Sequence, residues 1–221
     1  MKNSTSKKSH DVFRSFLVRD AHYAGEIELP SIEPSHAVPK RLLPFSKSLK
    51  NSDAGAWIHF YEDDEKFERI WNRPQRYLTV LGRFEGVISP DFSLYRDMPL
   101  VMQQWNTYRG RAVANWLQDN GIKVIPNVRF SDHRSYGFCC EGIAPSSTVA
   151  VGTLGCMQSK EEKEYFIDGL SYVMGRLRPE RMIVYGSMPD DVFGAYKDSG
   201  TEFLRFESET EQAHGTRSAC A

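Results

Sequence analysis

From residue 55 onward the chain alternates short apolar runs with longer stretches whose apolar residues recur every three or four positions. Ala56-Trp57-Ile58-His59-Phe60-Tyr61 is an aromatic and β-branched run and predicts a strand. Asp63 and Asp64 then open a helical stretch with Phe67, Ile70 and Trp71 on one face, acidic residues in a first turn being favoured by the helix dipole. Pro74 interrupts it, and a second piece carries Tyr77, Leu78 and Leu81 to a stop at Gly82. Gly86-Val87-Ile88-Ser89 predicts the next strand. Pro99 suits a first helical position, where its missing N–H is not needed. Val101, Trp105, Tyr108, Ala112 and Trp116 then repeat as a buried helical stripe that ends at Asn120-Gly121. Ile122 to Val128 predicts a third strand and Thr148-Val149-Ala150-Val151 a fourth. Lys160–Leu177 predicts a helix with Phe166, Leu170, Val173 and Leu177 on one face. Met182-Ile183-Val184-Tyr185 and Phe203-Leu204-Arg205-Phe206 complete the strands.

Strands alternating with amphipathic helices imply βαβ units and a mainly parallel sheet. The predicted fold is α/β, three-layer, with about five or six strands; an open sheet and a partial barrel are both compatible with the pattern. Residues 1–10 are polar and read as a disordered arm. Residues 11–54, with Pro30, Pro34, Pro39 and Pro44, read as an extended segment wrapping the surface. Residues 55–207 form the α/β domain, and 208–221 read as a flexible tail.

Charge narrows the choice of function. The 221 residues carry 28 Lys+Arg against 29 Asp+Glu, which excludes a nucleic-acid binder that works by bulk positive charge alone. No apolar run is long enough to span a bilayer, and the Lys- and Ser-rich start lacks a signal-peptide core. Cys139, Cys140, Cys156 and Cys220 fit neither a disulfide framework nor a zinc spacing. A cytoplasmic protein without membrane association is expected.

In parallel α/β sheets ligands sit beyond the carboxyl ends of the strands. That rule selects Ser-Pro-Asp-Phe-Ser at 89–93, where Pro90 stiffens the backbone and fixes the direction of Asp91. A carboxylate there can orient water, act as general base or offset developing positive charge; a turn or helix-cap role for Asp91 or Ser93 competes. Asn127 after Pro126 repeats the device, with an amide suited to the edge of a base or, more blandly, to its own loop. Arg129, Asp132 and His133 could form a phosphate clamp or a solvated surface pair. Phe92, Tyr95, Thr153 and Ser187 complete the candidate binding residues. His59 lies in an apolar strand and reads as a core imidazole, and Asp63-Asp64 reads as a helix cap. Asn106 and Arg109 point away from the helical stripe and could reach a ligand. P-loop, dinucleotide, metal-ligand and Gly-x-Ser-x-Gly spacings are absent, so neither a cofactor nor a metal is expected.

Ser89-Pro-Asp-Phe-Ser-Leu-Tyr95, Asp97-Met-Pro99, Trp105-Asn-Thr-Tyr-Arg109, Gly121-Ile-Lys-Val-Ile-Pro126 and Val184-Tyr-Gly186 together resemble a bacterial family known only as a numbered domain of unknown function, which recurs in phages, prophages and other mobile elements. The resemblance covers roughly residues 40–206 and departs at Arg129, where an aromatic is expected. It implies a phage–host or mobile-element setting and transfers no catalytic residues. By architecture and residue type alone, the candidate set is similar to that of uracil-DNA-glycosylase-type enzymes, whose carboxylate orients water while an aromatic ring stacks the flipped base and an Asn reads its edge. Asp91, Phe92 or Tyr95, and Asn127 would take these roles on a DNA or nucleotide substrate, with Ser187 near phosphate. Two other readings compete. One is a non-enzymatic phage or prophage protein that binds a host or phage partner through the Pro-rich segment. The other is a metal-dependent nuclease in which Asp63, Asp91 and Asp132 converge.

Overall fold

In the computed structural model, which describes residues 11–218, seven parallel strands lie side by side in the order in which the chain makes them. A small antiparallel hairpin, β1 (Tyr23–Ala24) and β2 (Leu29–Pro30), precedes them. β3 (Leu42–Pro44), β4 (Trp57–His59), β5 (Gly86–Ile88) and β6 (Val124–Ile125) form one parallel sheet, and β7 (Thr148–Gly152), β8 (Arg181–Tyr185) and β9 (Glu202–Phe206) another. The two are joined just past β6 by a parallel bridge between Asn127 and Ala150. There the Val128 N–H donates to the Ala150 carbonyl and the Ala150 N–H to the Pro126 carbonyl, each at 2.8 Å.

The connections carry α1 (Asp64–Asn72), α2 (Pro74–Leu81), α3 (Leu100–Asp119), α4 (Tyr136–Cys139), α5 (Lys160–Leu177) and α6 (Asp190–Phe193), and α7 (Glu209–Ser218) follows β9. Their ends are written in the sequence. Pro74 is the first residue of α2, Gly121 takes φ +78° just past α3, and the Ser159 hydroxyl accepts the Glu162 N–H at the start of α5. Parallel strands that pair with their sequence neighbours through right-handed crossovers put their helices on one face. Ile58, Phe60, Val87 and Val124 accordingly share a core with Phe67, Ile70 and Leu117 of α1 and α3. Val149, Val151, Met182 and Val184 share another with Phe166, Leu170 and Val173 of α5.

The opposite face packs on itself. Trp57, Tyr61, Ile88, Ile125, Ala150, Ile183 and Tyr185 form a third core, with Leu42, Leu204 and Phe206 against it. β4 and β8 are four strand positions apart, about 19 Å in a flat sheet at ~4.8 Å per strand. Yet the rings of Tyr61 and Tyr185 lie 5.0 Å apart, and those of His59 and Tyr185 4.3 Å apart. The strands therefore curl as in a partial barrel, which resolves the choice that the sequence pattern leaves open. Crowding inside the curl explains two glycines: a Cβ on Gly86 would lie 2.5 Å from the Trp57 ring, and one on Gly152 would lie 2.6 Å from the Tyr61 ring.

The fold class is as expected, a parallel α/β architecture with helices layered on the sheets, and three local expectations change. The Pro-rich segment is not only a wrapping: it supplies β3 as a seventh strand and buries Leu29, Ile32 and Phe45. The tail from residue 208 begins as a helix, α7, rather than as a flexible chain. Residues 1–10 and 219–221 lie outside the described residues. In α3, the stripe of Val101 and Trp105 is 68% and 45% exposed, whereas Gln103, Thr107, Gly110 and Arg111 are buried. Over this part the helix rests on loops, whose carbonyls need donors, whereas Ala112, Val113, Trp116 and Leu117 farther along join the core. Gln103 Nε2 donates to the carbonyls of Tyr95 and Met98, and the Arg111 guanidinium donates to those of Asn127, Cys139 and Glu141. Among the described residues no helix is long and apolar enough to cross a membrane.

Candidate functional site

The carboxyl ends of the strands open into a cavity of about 320 Å³ whose walls include Tyr61 and Glu62 after β4, Asp91 and Ser93 after β5, Arg129 after β6, Gly152 of β7 and Tyr185 of β8. Asp91 is held there from two directions. Its Oδ1 accepts from Asn127 Nδ2 at 2.7 Å, and its Oδ2 faces Arg129 Nη1 at 3.1 Å. The amide of Asn127 cannot turn over, because the buried Tyr61 hydroxyl donates to its Oδ1 at 2.9 Å. The backbone of Asn127 is fixed as well, its N–H donating to Ser89 Oγ at 2.7 Å and its carbonyl accepting from Arg111. Asp91 does not cap a helix.

Burial pushes the Asp91 carboxyl above the ordinary carboxylate range, and the Arg129 charge and the Asn127 hydrogen bond pull it back. Asp91 in turn raises the guanidinium of Arg129. Burial lifts the Tyr61 hydroxyl well above 10 and that of Tyr185 to about 12, so both remain donors at neutral pH. Arg129 Nε is buried without a partner. An unmet buried donor costs about 1–3 kcal/mol, and groups that carry such a cost are common where a protein acts.

The pattern of one family, described as "Domain of unknown function (DUF4417)", matches residues 21–207. The chain belongs to this family. Its relatives include the "Gene 1 protein" of Mycobacterium phage L5, 34% identical over 189 residues that cover 84% of this chain and 81% of the phage protein. The "Gene 1 protein" of Mycobacterium phage D29 is 33% identical over 164 residues, 73% of this chain, and the match spans 61% of that protein. No solved structure matches the chain. The resemblance read from the sequence, to a phage-related domain of unknown function, is thus the family found.

Within this DUF4417 domain the structure separates the expected site residues. Asp91, Ser93, Tyr95 and Arg129 line the cavity. Ser93 is also tied to Asp64, whose carboxylate accepts its hydroxyl at 2.9 Å and its N–H at 3.2 Å. Asn127 is 3% exposed and orients Asp91; it offers no free edge to a base. Phe92 is not a stacking ring: it is 2% exposed, packed on Phe67, with the Arg109 guanidinium 3.9 Å from its centroid. Arg109 and Asn106, bonded to Glu68, to each other and to the Ser93 carbonyl, hold this loop rather than a ligand. Thr153 is buried with its hydroxyl on the Tyr185 carbonyl at 3.2 Å, and Ser187 does not line the cavity. Asp132 pairs with Arg134 and caps a short 3-10 turn, so it forms no clamp with Arg129.

Asp63 pairs with Lys66 at 2.7 Å, and among the described residues no three acidic, His or Cys side chains gather as a metal centre would require. The convergence of Asp63, Asp91 and Asp132 that a metal-dependent nuclease needs is therefore not present. Tyr61 and Tyr185 were missed by the sequence reading. Tyr61 follows β4 and Tyr185 ends β8, strands whose other residues are core, and only the curl of the sheet brings the two rings together.

Proposed function

We propose that this domain is a hydrolase that breaks an N-glycosidic bond of a nucleotide or nucleic acid, with Asp91 as the group that orients water. The observation that supports it most is the setting of Asp91: a buried carboxylate in a concave site at the strand ends, with Tyr61, Tyr95 and Tyr185 in the same walls. A binding module would leave this side chain as a turn or cap.

The chemistry follows from the contacts. Asn127 and Arg129 each occupy one oxygen of Asp91 and leave further lone pairs toward the cavity. As the bond between C1′ and the base nitrogen breaks, its electron pair leaves with the base and positive charge grows on the sugar. Asp91 lies where a negative group offsets that charge. Water adds to C1′ and its proton passes to Asp91, whose raised affinity for a proton suits a general base. The departing base takes a proton from solvent, and Asp91 returns its own to solvent.

Purified protein incubated with nucleosides, nucleotides and DNA in EDTA should release free base. Asp91→Asn should slow that release by about 10²–10⁴-fold. Release that is unchanged in Asp91→Asn, or no release from any of these compounds, removes the proposal.

A second reading, a protein that binds a phage or host partner, is favoured by the exposed Leu100, Val101, Met102 and Trp105 at the start of α3. The Pro-rich segment gives part of its length to β3 and to the core, through Ile32, Pro44 and Phe45.

A further inference from the structure

The site described above is only half of an opening. A second cavity of about 730 Å³ adjoins it, and Tyr95, Arg129 and Leu154 belong to the walls of both. Its far side carries Arg96, Tyr165 and Phe166. Resting on the reading of Asp91 as a glycosidic-bond hydrolase centre, we infer that the substrate is a free nucleoside, bare or with a single phosphate, lying across the two cavities, and not a DNA or RNA strand.

Charge carries the argument. A strand is held by open Lys and Arg side chains that meet successive phosphates. Every cationic side chain in these walls is already matched to a carboxylate. Lys66 pairs with Asp63, Arg96 with Glu161 at 2.8 Å and also with Glu162, and Arg129 with Asp91. Carboxylates in the walls, among them Glu62, Asp63, Asp91, Asp97, Glu162 and Glu209, outnumber the three cations. A polyanion laid over this mouth would be repelled.

The same walls suit a nucleoside. Both cavities fall in the size range of small-molecule sites, roughly 300–1,000 Å³. Tyr95, which is 54% exposed, and Tyr165, which stacks on Arg96 at 4.1 Å, offer flat faces to a base. Carboxylates accept hydrogen bonds from sugar hydroxyls, which a strand would lack at its esterified positions. Arg129, where the cavities meet, gives only Nη1 to Asp91 and keeps its side chain 23% exposed, so it can serve a single acceptor such as a base carbonyl or one phosphate.

Calorimetric titration of the full-length Asp91→Asn protein tests this without turnover. The ligands are the common ribo- and deoxynucleosides, their monophosphates, and a mixed-sequence single-stranded decanucleotide. At least one nucleoside or monophosphate should saturate one site, with affinity changing less than about threefold between 50 and 200 mM salt. Tyr165→Ala should weaken it at least tenfold. Tighter binding of the decanucleotide than of every free ligand overturns the inference, as does an absence of nucleoside binding or an unchanged affinity in Tyr165→Ala. The two ideas fail separately. Nucleoside binding without base release by the wild-type protein defeats the hydrolase reading alone, whereas base release only from strands defeats this inference and leaves the chemistry of Asp91 intact.

Discussion

His59 shows how much one side chain can bind stability to pH. Its Nδ1 accepts the Tyr61 N–H at 3.2 Å, and its ring lies against Tyr185 inside the curl. Burial, aided by the Lys47 charge, pushes its pKa from 6.5 down to about 3. The folded chain therefore keeps His59 neutral while the unfolded chain takes up a proton first. The stability linked to this residue is complete above about pH 6.5 and is lost as the pH falls toward 3. Between pH 7 and pH 5 the loss amounts to about 2 kcal/mol. Asp91 acts in the opposite sense. Its raised pKa favours the fold at low pH, and that contribution falls away as the pH rises from 3.8 through the folded value. Comparing urea midpoints of wild type and His59→Asn at both pH values isolates the histidine, because Asp91 is common to the two. The variant should lose less stability on acidification; parallel losses would sink the account.

At the scale of elements, α3 is the least ordinary helix. Arg111 is 3% exposed and its guanidinium donates to three carbonyls, on the strand-end loop at Asn127 and on the turn around Cys139 and Glu141. Arg111→Met keeps most of the volume and removes every donor. Denaturant unfolding should show a loss of about 3 kcal/mol or more, and a loss below about 0.5 kcal/mol would mean that water replaces the guanidinium without cost. This helix also shows what the sequence could and could not reveal. Strands and helices with apolar partners, such as β7, β8 and α5, were legible from period alone. The stripe predicted for α3 holds at Ala112 and Trp116 but faces solvent at Val101 and Trp105, because the buried face there meets backbone carbonyls and so carries Gln103, Thr107 and Arg111. β3 was hidden by its three-residue length and by Pro44 within it. Asp91 was legible as a strand-end carboxylate. Asn127 and Arg129 were legible as strand-end residues as well, but that they bond Asp91, and that Tyr61 holds Asn127 beside the ring of Tyr185, depends on contacts between strands remote in sequence, which no local pattern encodes.

For the whole molecule, the curl sets a gradient of protection. Val149, Ala150, Val151, Met182, Ile183 and Val184 are buried on both faces of their strands, between the α5 core and the inner core. Their amides should exchange with solvent only through global unfolding, whereas those of the Tyr23–Ala24 and Leu29–Pro30 hairpin should exchange through local opening. Native-state hydrogen exchange measures both, and fast exchange in β7 and β8 would contradict the enclosed inner face. The order of the strands bears on how this state is reached. Each parallel strand after the first pairs with the one the ribosome has just released, so the ladder can grow by addition at one edge. What must wait for distant parts is the closing of the curl, where His59 and Tyr61 meet Tyr185. Such a chain has few long loops to close before its contacts begin to reward it, and it is suited to assembling in the direction of its own synthesis.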